Sequence, residues 1–113
     1  MTKFLGVATD EPTVASLSFT EAPADKVTSI YRINVTLSPA QVAANTTAEQ
    51  TFTVAGVRVG DVVYVSKPTA QAGLGIVNVR ASASNQIAVT FSNNTGTPIT
   101  PTASEVYQVG GIR

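Results

Sequence analysis

The sequence contains no cysteine, no histidine and no tryptophan. Without cysteine there is no disulfide framework, and without thiolates or imidazoles the common zinc ligand sets are missing. The same absences remove Cys and Ser–His nucleophile systems and histidine acid–base catalysis. Charge is scarce: 12% of residues, with seven bases against seven acids, where an average soluble domain carries roughly 25%. A net charge of zero argues against the basic footprint that neutralises nucleic-acid phosphates, so no nucleic-acid partner is expected. Long apolar runs are lacking too. Nothing approaches the ~20 residues that span a bilayer, and Phe4 to Ala8 is shorter than the ~7–15-residue core of a signal peptide. The expectation is a protein made in a cytoplasm, with no membrane partner.

What is present is β-branched. The 113 residues include sixteen valines and sixteen threonines, side chains that suit a pleated surface. Period-two alternation, which sends successive side chains to opposite faces, runs through Tyr31, Ile33, Val35 and Leu37. It recurs in Phe52 and Val54, in Val77, Val79 and Ala81, and in Ile87, Val89 and Phe91, with a fainter version in Ala15, Leu17 and Phe19. Val62-Val63-Tyr64-Val65 is apolar on both parities, as a central or doubly covered strand would be. Glu105 to Ile112 reads as a last strand of open register. Ser84-Asn85 reads as a hairpin turn and Asn93 to Pro98 as a turn cluster. Ser38 to Asn45, with Ser before Pro39 and an alanine-rich filling, reads as a connection containing one helical turn. The pattern predicts an all-β chain, an antiparallel β-sandwich of jelly-roll-like kind over residues 26–113, preceded by a loosely structured N-terminal arm or edge segment over 1–25.

Candidate chemistry is thin. Asp10 and Glu11 are adjacent, Glu21 and Asp25 flank Pro23, Glu49 and Glu105 begin strands, and Asp61 follows Gly60 in a tight connection. None pairs an acid of raised pKa with a base, so these carboxylates are read as solvated and structural, with Asp61 bonding its own backbone. Gly73-Leu74-Gly75 precedes a strand-like run and so lacks the helix a phosphate cradle needs. Phe19, Phe52, Phe91 and Tyr31 take inward parity; Tyr64 and Tyr107 suit a rim or an interface. No catalytic residue, metal ligand, cofactor or small-molecule substrate is expected.

From Thr47-Ala48-Glu49-Gln50-Thr51-Phe52-Thr53-Val54 onward a familiar order sets in. It runs through Val57-Arg58-Val59-Gly60-Asp61-Val62-Val63-Tyr64-Val65 and Lys67-Pro68. Ala72-Gly73-Leu74-Gly75-Ile76, Val79 to Ala83, Ile87 to Asn93 and Pro98-Ile99-Thr100-Pro101 follow. This order resembles small structural proteins encoded near the head genes of tailed phages, including capsid decoration (cement) proteins. The resemblance covers about Thr47 to Arg113, and Phe4-Leu5-Gly6-Val7-Ala8-Thr9-Asp10 looks like a common opening for such chains. It implies a non-enzymatic virion component, homotrimeric on the outer capsid surface, whose partner is the major capsid protein. Phe4, Leu5 and Val7 are then the expected capsid or subunit interface. A tail, neck or fibre subunit and a host-surface carbohydrate-binding module are the competing expectations.

Overall fold

A computed structural model describes residues 27–113. Six strands follow in order: β1 (Ile30–Leu37), β2 (Thr46–Thr53), β3 (Val62–Ser66), β4 (Leu74–Ala83), β5 (Gln86–Asn93) and β6 (Glu105–Ile112). They form two antiparallel three-stranded sheets, ordered β1-β6-β3 and β2-β5-β4, packed as a small β-sandwich. The described residues are all-β, without a helix, and supply six strands where a jelly roll has eight.

Alternation builds the core. The two central strands bury deepest: Tyr107 and Val109 of β6 face Ile87, Val89 and Phe91 of β5, and all are fully inaccessible. The tail whose register the sequence left open is thus the middle of its sheet, paired with β1 from Ile30↔Ile112 to Leu37↔Glu105 and with β3 from Val62↔Ile112 to Ser66↔Gln108.

Three local expectations are corrected. β3 is an edge strand, not a central one. Val63 and Val65 turn inward, whereas Val62 and Tyr64 stand 61% and 56% exposed on the outer face, so its second apolar parity is uncovered among the described residues. Val77 does not share a face with Val79 and Ala81. The ladder shifts between Ile76 and Asn78, a bulge that rotates Val77 outward and blunts an edge strand against stray pairing. The Ser38–Asn45 connection has no helical turn. Val42 is buried and forms a two-way bridge with Ile99 (2.8 and 3.0 Å); burying one valine and closing this bridge outweighs the weak helical preference of so short a segment. The Gln50 carboxamide fastens the same loop, accepting from the Ala40 N–H at 2.7 Å and donating to its carbonyl at 2.9 Å.

Candidate docking surface

The outer faces of the two sheets differ in chemistry. On the β2-β5-β4 sheet the outward positions include Thr47, Thr51, Thr90 and Ser92. A Glu49–Arg80 ion pair, with two contacts of 2.9 Å, reaches from β2 to β4 across β5. Apart from Val77, which the bulge turns outward, that face is polar. On the β1-β6-β3 sheet the register sets Ile30, Ile112 and Val62 side by side as one aliphatic row. The next outward row is Arg32, Gly110 and Tyr64. The Tyr64 ring lies over Gly110, where a Cβ would come within 2.8 Å of it, so the glycine lets the ring lie down on the sheet. Ile30 is 71% exposed and Val59, on the turn before β3, 67%. A cleft of about 360 Å³ runs beside the row, walled by Val27, Val59, Val62 and Ile112 together with Arg58 and the Asp61–Arg113 pair. Ile30, Val59, Val62 and Tyr64 each leave more than half of their surface exposed, and large apolar side chains exposed together mark interaction sites.

A polar node fixes the turn that carries Val59. The Asp61 side chain is buried and accepts from Arg113 Nε (3.0 Å) and Nη2 (2.9 Å), from the Tyr31 hydroxyl (2.5 Å) and from the Arg58 N–H (3.0 Å). Arg113 also donates to the Gly56 carbonyl at 2.7 Å and lies 5.5 Å from the Tyr31 ring centre, within cation–π range. The guanidinium hydrogen bonds, helped by Tyr31 and Arg58, hold the Asp61 carboxyl well below the usual carboxylate range against the opposing effect of burial. Burial first, and then the bond to Asp61, push the Tyr31 hydroxyl up to about 12. Asp61 does bond local backbone as its sequence context suggested, but it is not solvated: β1 and the end of β6 bring it a phenol and a guanidinium that no local pattern announces.

Gly111 makes room for this node. It sits opposite Tyr31 in the ladder, and a Cβ there would occupy the space of the Tyr31 ring. Gly111→Ala is therefore expected to cost about 1–3 kcal/mol by displacing a pinned ring. Denaturant melts of Gly111→Ala, Tyr31→Ala and the double variant check this: once the ring is gone, most of the glycine penalty should vanish.

The opposite end of the sandwich holds a second polar cluster. Lys67 and Glu105, each about nine-tenths buried, pair at 3.0 Å. Thr69 accepts from the Lys67 ammonium at 3.1 Å and donates to Glu105 at 2.5 Å. The Thr69 bond and the Lys67 bond draw the Glu105 carboxyl down, so Glu105 too is not the solvated group expected. Tyr107 is fully buried rather than at a rim, its hydroxyl without a protein partner among the described residues. Burial and the nearby Glu105 charge push that hydroxyl up to about 12.

Phe4, Leu5 and Val7, the interface residues expected from sequence, lie outside the described residues, as do Leu17 and Phe19. The residues that sequence reasoning passed over are Ile30, Val59, Val62 and Ile112; Tyr64, expected at a rim or an interface, stands exposed beside them. The signal available for them was the two-faced apolarity of Val62 to Val65. What the arrangement offers chemically is apolar area, an aromatic ring and two cations: among the described residues, Glu49, Asp61 and Glu105 are all engaged in ion pairs, and Arg32 and Arg58 are the bases left without an acidic partner. Comparison with protein-family models, with curated proteins and with solved structures gives no match in any of the three.

Proposed function

We propose that this chain is a non-enzymatic structural protein of a tailed-phage virion, a capsid decoration protein that assembles as a homotrimer on the outer shell and bridges major capsid subunits. The observation that carries the reading is the contrast between the two sheet faces: hydroxyls, an ion pair and a single outward Val77 on one, an aliphatic row with Tyr64, uncovered among the described residues, on the other. A sandwich with one face for water and one for protein suits a component that works by being covered. The resemblance of Thr47 to Arg113 to small phage head proteins supplies the setting. Repetition makes such a role feasible with modest contacts, because a trimer engaging several capsid subunits gains by avidity what each contact lacks. Three-fold symmetry gives each copy an equivalent neighbour on a local three-fold axis.

The test is addition of purified protein to heads that lack it. The expected results are a mass of three chains by light scattering at micromolar concentration and saturable binding over the head surface in negative stain with a labelled copy. Label confined to the tail or collar would replace this reading with the fibre or neck one, and binding to neither would overturn both.

A further inference from the structure

We propose that the aliphatic row of the β1-β6-β3 face is covered by residues 10–26 of a neighbouring copy of this chain, apolar side chains on the row and carboxylates on Arg32 and Arg58. The inference rests on the trimeric part of the reading above and names its contact. Three observations carry it.

The first is charge. Residues 27–113 hold Arg32, Arg58, Lys67, Arg80 and Arg113 against Glu49, Asp61 and Glu105, a net charge of +2. Residues 1–26 hold Asp10, Glu11, Glu21 and Asp25 against Lys3 and Lys26, a net charge of −2. The unmatched positive charge is placed at the patch: Arg32 lies in the row next to Ile30–Ile112–Val62, and Arg58 lines the cleft. The second is apolar complementarity. Val14, Leu17 and Phe19 stand among those acids, the side chains a patch of Ile30, Val59, Val62, Tyr64 and Ile112 takes up. The third is position. Val27, the first described residue, lines the same cleft, so the acidic stretch is joined to the body at the patch.

The charges disfavour one arrangement, the two exposed rows packed directly on each other. Two copies meeting face to face would set Arg32 and Arg58 against their own counterparts, with like charges opposed at the rim. A head-to-tail contact joins opposite signs at every interface and, where the rotation between neighbours closes as the proposed trimer requires, forms a ring of three. With the arginines and the rim included, the row is a suitable centre for an interface of the standard size of about 800 Å² per partner.

The experiment uses two full-length variants: Leu17→Asp/Phe19→Asp, which retains the face, and Val62→Asp/Tyr64→Ser, which retains the acidic stretch. The substituted face positions point outward, and unchanged β-sheet circular dichroism verifies the fold. Each variant alone is expected to have the mass of one chain by light scattering. An equimolar mixture is expected to give a species of two chain masses, because one intact stretch then meets one intact face. Arg32→Glu/Arg58→Glu in the face-retaining variant should weaken that mixed complex at least tenfold, and Glu21→Arg/Asp25→Arg in its partner should restore it. A mixture that stays at one chain mass overturns the inference, as it would if the stretch docks on its own chain. So does a first variant that still forms trimers. A wild-type trimer with an unmixing pair removes this inference alone; a monomeric wild type removes it together with the trimer, while head binding judges the decoration role separately.

Discussion

Asp61→Ala is expected to lower the unfolding free energy by about 2–4 kcal/mol, the cost of breaking a buried charge pair by deleting one partner. The Asp61 side chain is 2% exposed and receives four hydrogen bonds from three residues. Its removal strands the Arg113 guanidinium and the Tyr31 hydroxyl together. Arg113 is 25% exposed, so water can recover part of its solvation, which keeps the figure below the upper end for fully enclosed pairs. Thermal melts should fall by roughly 10–20 °C for a domain of this size. The pH dependence supplies the sharper check. Because the folded carboxyl is held below its ordinary range, its contribution is complete above the unfolded pKa of about 3.9 and drains away as pH falls toward the folded value. The gap between wild type and Asp61→Asn should therefore be widest at neutral pH and shrink steadily below pH 4. Tyr31 gives the alkaline counterpart. Its folded pKa is raised to about 12 from an ordinary value near 10, so its contribution holds below pH 10 and is lost as pH climbs through 12. A gap that does not narrow in acid would show that Asp61 is spatially necessary but electrostatically idle.

The node also shows where sequence reading reaches its limit. Alternation located strands because it is a local consequence of the pleat: Ile87, Val89 and Phe91 had to share a face whichever partners they found, and they do. Turns were legible for the same reason, since Asn85, at φ of 59°, is a residue type that tolerates the left-handed region. Pairing is not local. Nothing between Gly60 and Val62 says that Asp61 will meet a tyrosine 30 positions earlier and an arginine 52 positions later. That meeting follows from β6 running up the centre of its sheet. The edge position of β3 was hidden likewise. An apolar strand covered on both faces by its own chain and one covered on the second face by another chain have the same one-dimensional pattern, and Val62 to Val65 is the second kind under the reading proposed above. The bulge at Val77 defeated a strict period of two because one inserted residue reverses every later side chain on that strand.

Asn93→Ala is the second large effect, about 3 kcal/mol, and it tests the end of the sandwich away from the docking row. Asn93 is 1% exposed and fills its carboxamide with four contacts. Nδ2 donates to the Val42 carbonyl (3.2 Å) and the Thr97 carbonyl (2.8 Å), and Oδ1 accepts from the Thr95 N–H (2.9 Å) and hydroxyl (2.7 Å). The side chain thus ties the turn after β5 to the loop between β1 and β2. Alanine leaves the Thr95 N–H without its acceptor and weakens two carbonyls that keep one donor each, Ile99 N–H on Val42 and Thr95 hydroxyl on Thr97. At about 1 kcal/mol for each neutral hydrogen bond lost, and more for a buried group left unpaired, the sum reaches a few kcal/mol. Asn93→Asp separates this account from simple loss of volume. It keeps the two bonds accepted at Oδ1 but aims a second carboxylate oxygen at two carbonyls, so at neutral pH it should be at least as destabilising as alanine. Protonation turns that oxygen back into a donor. The folded pKa of the new acid is thereby raised above its unfolded value, and stability should rise as pH falls from 7 toward 4, opposite to the trend of the Asp61 node. Hydrogen exchange at Thr95 and Asn45, whose N–H donates to the Thr95 carbonyl at 3.0 Å, should quicken in both variants. Exchange in β6 beside Ile112 should not, because the aliphatic row and the asparagine knot occupy opposite ends of the sheets.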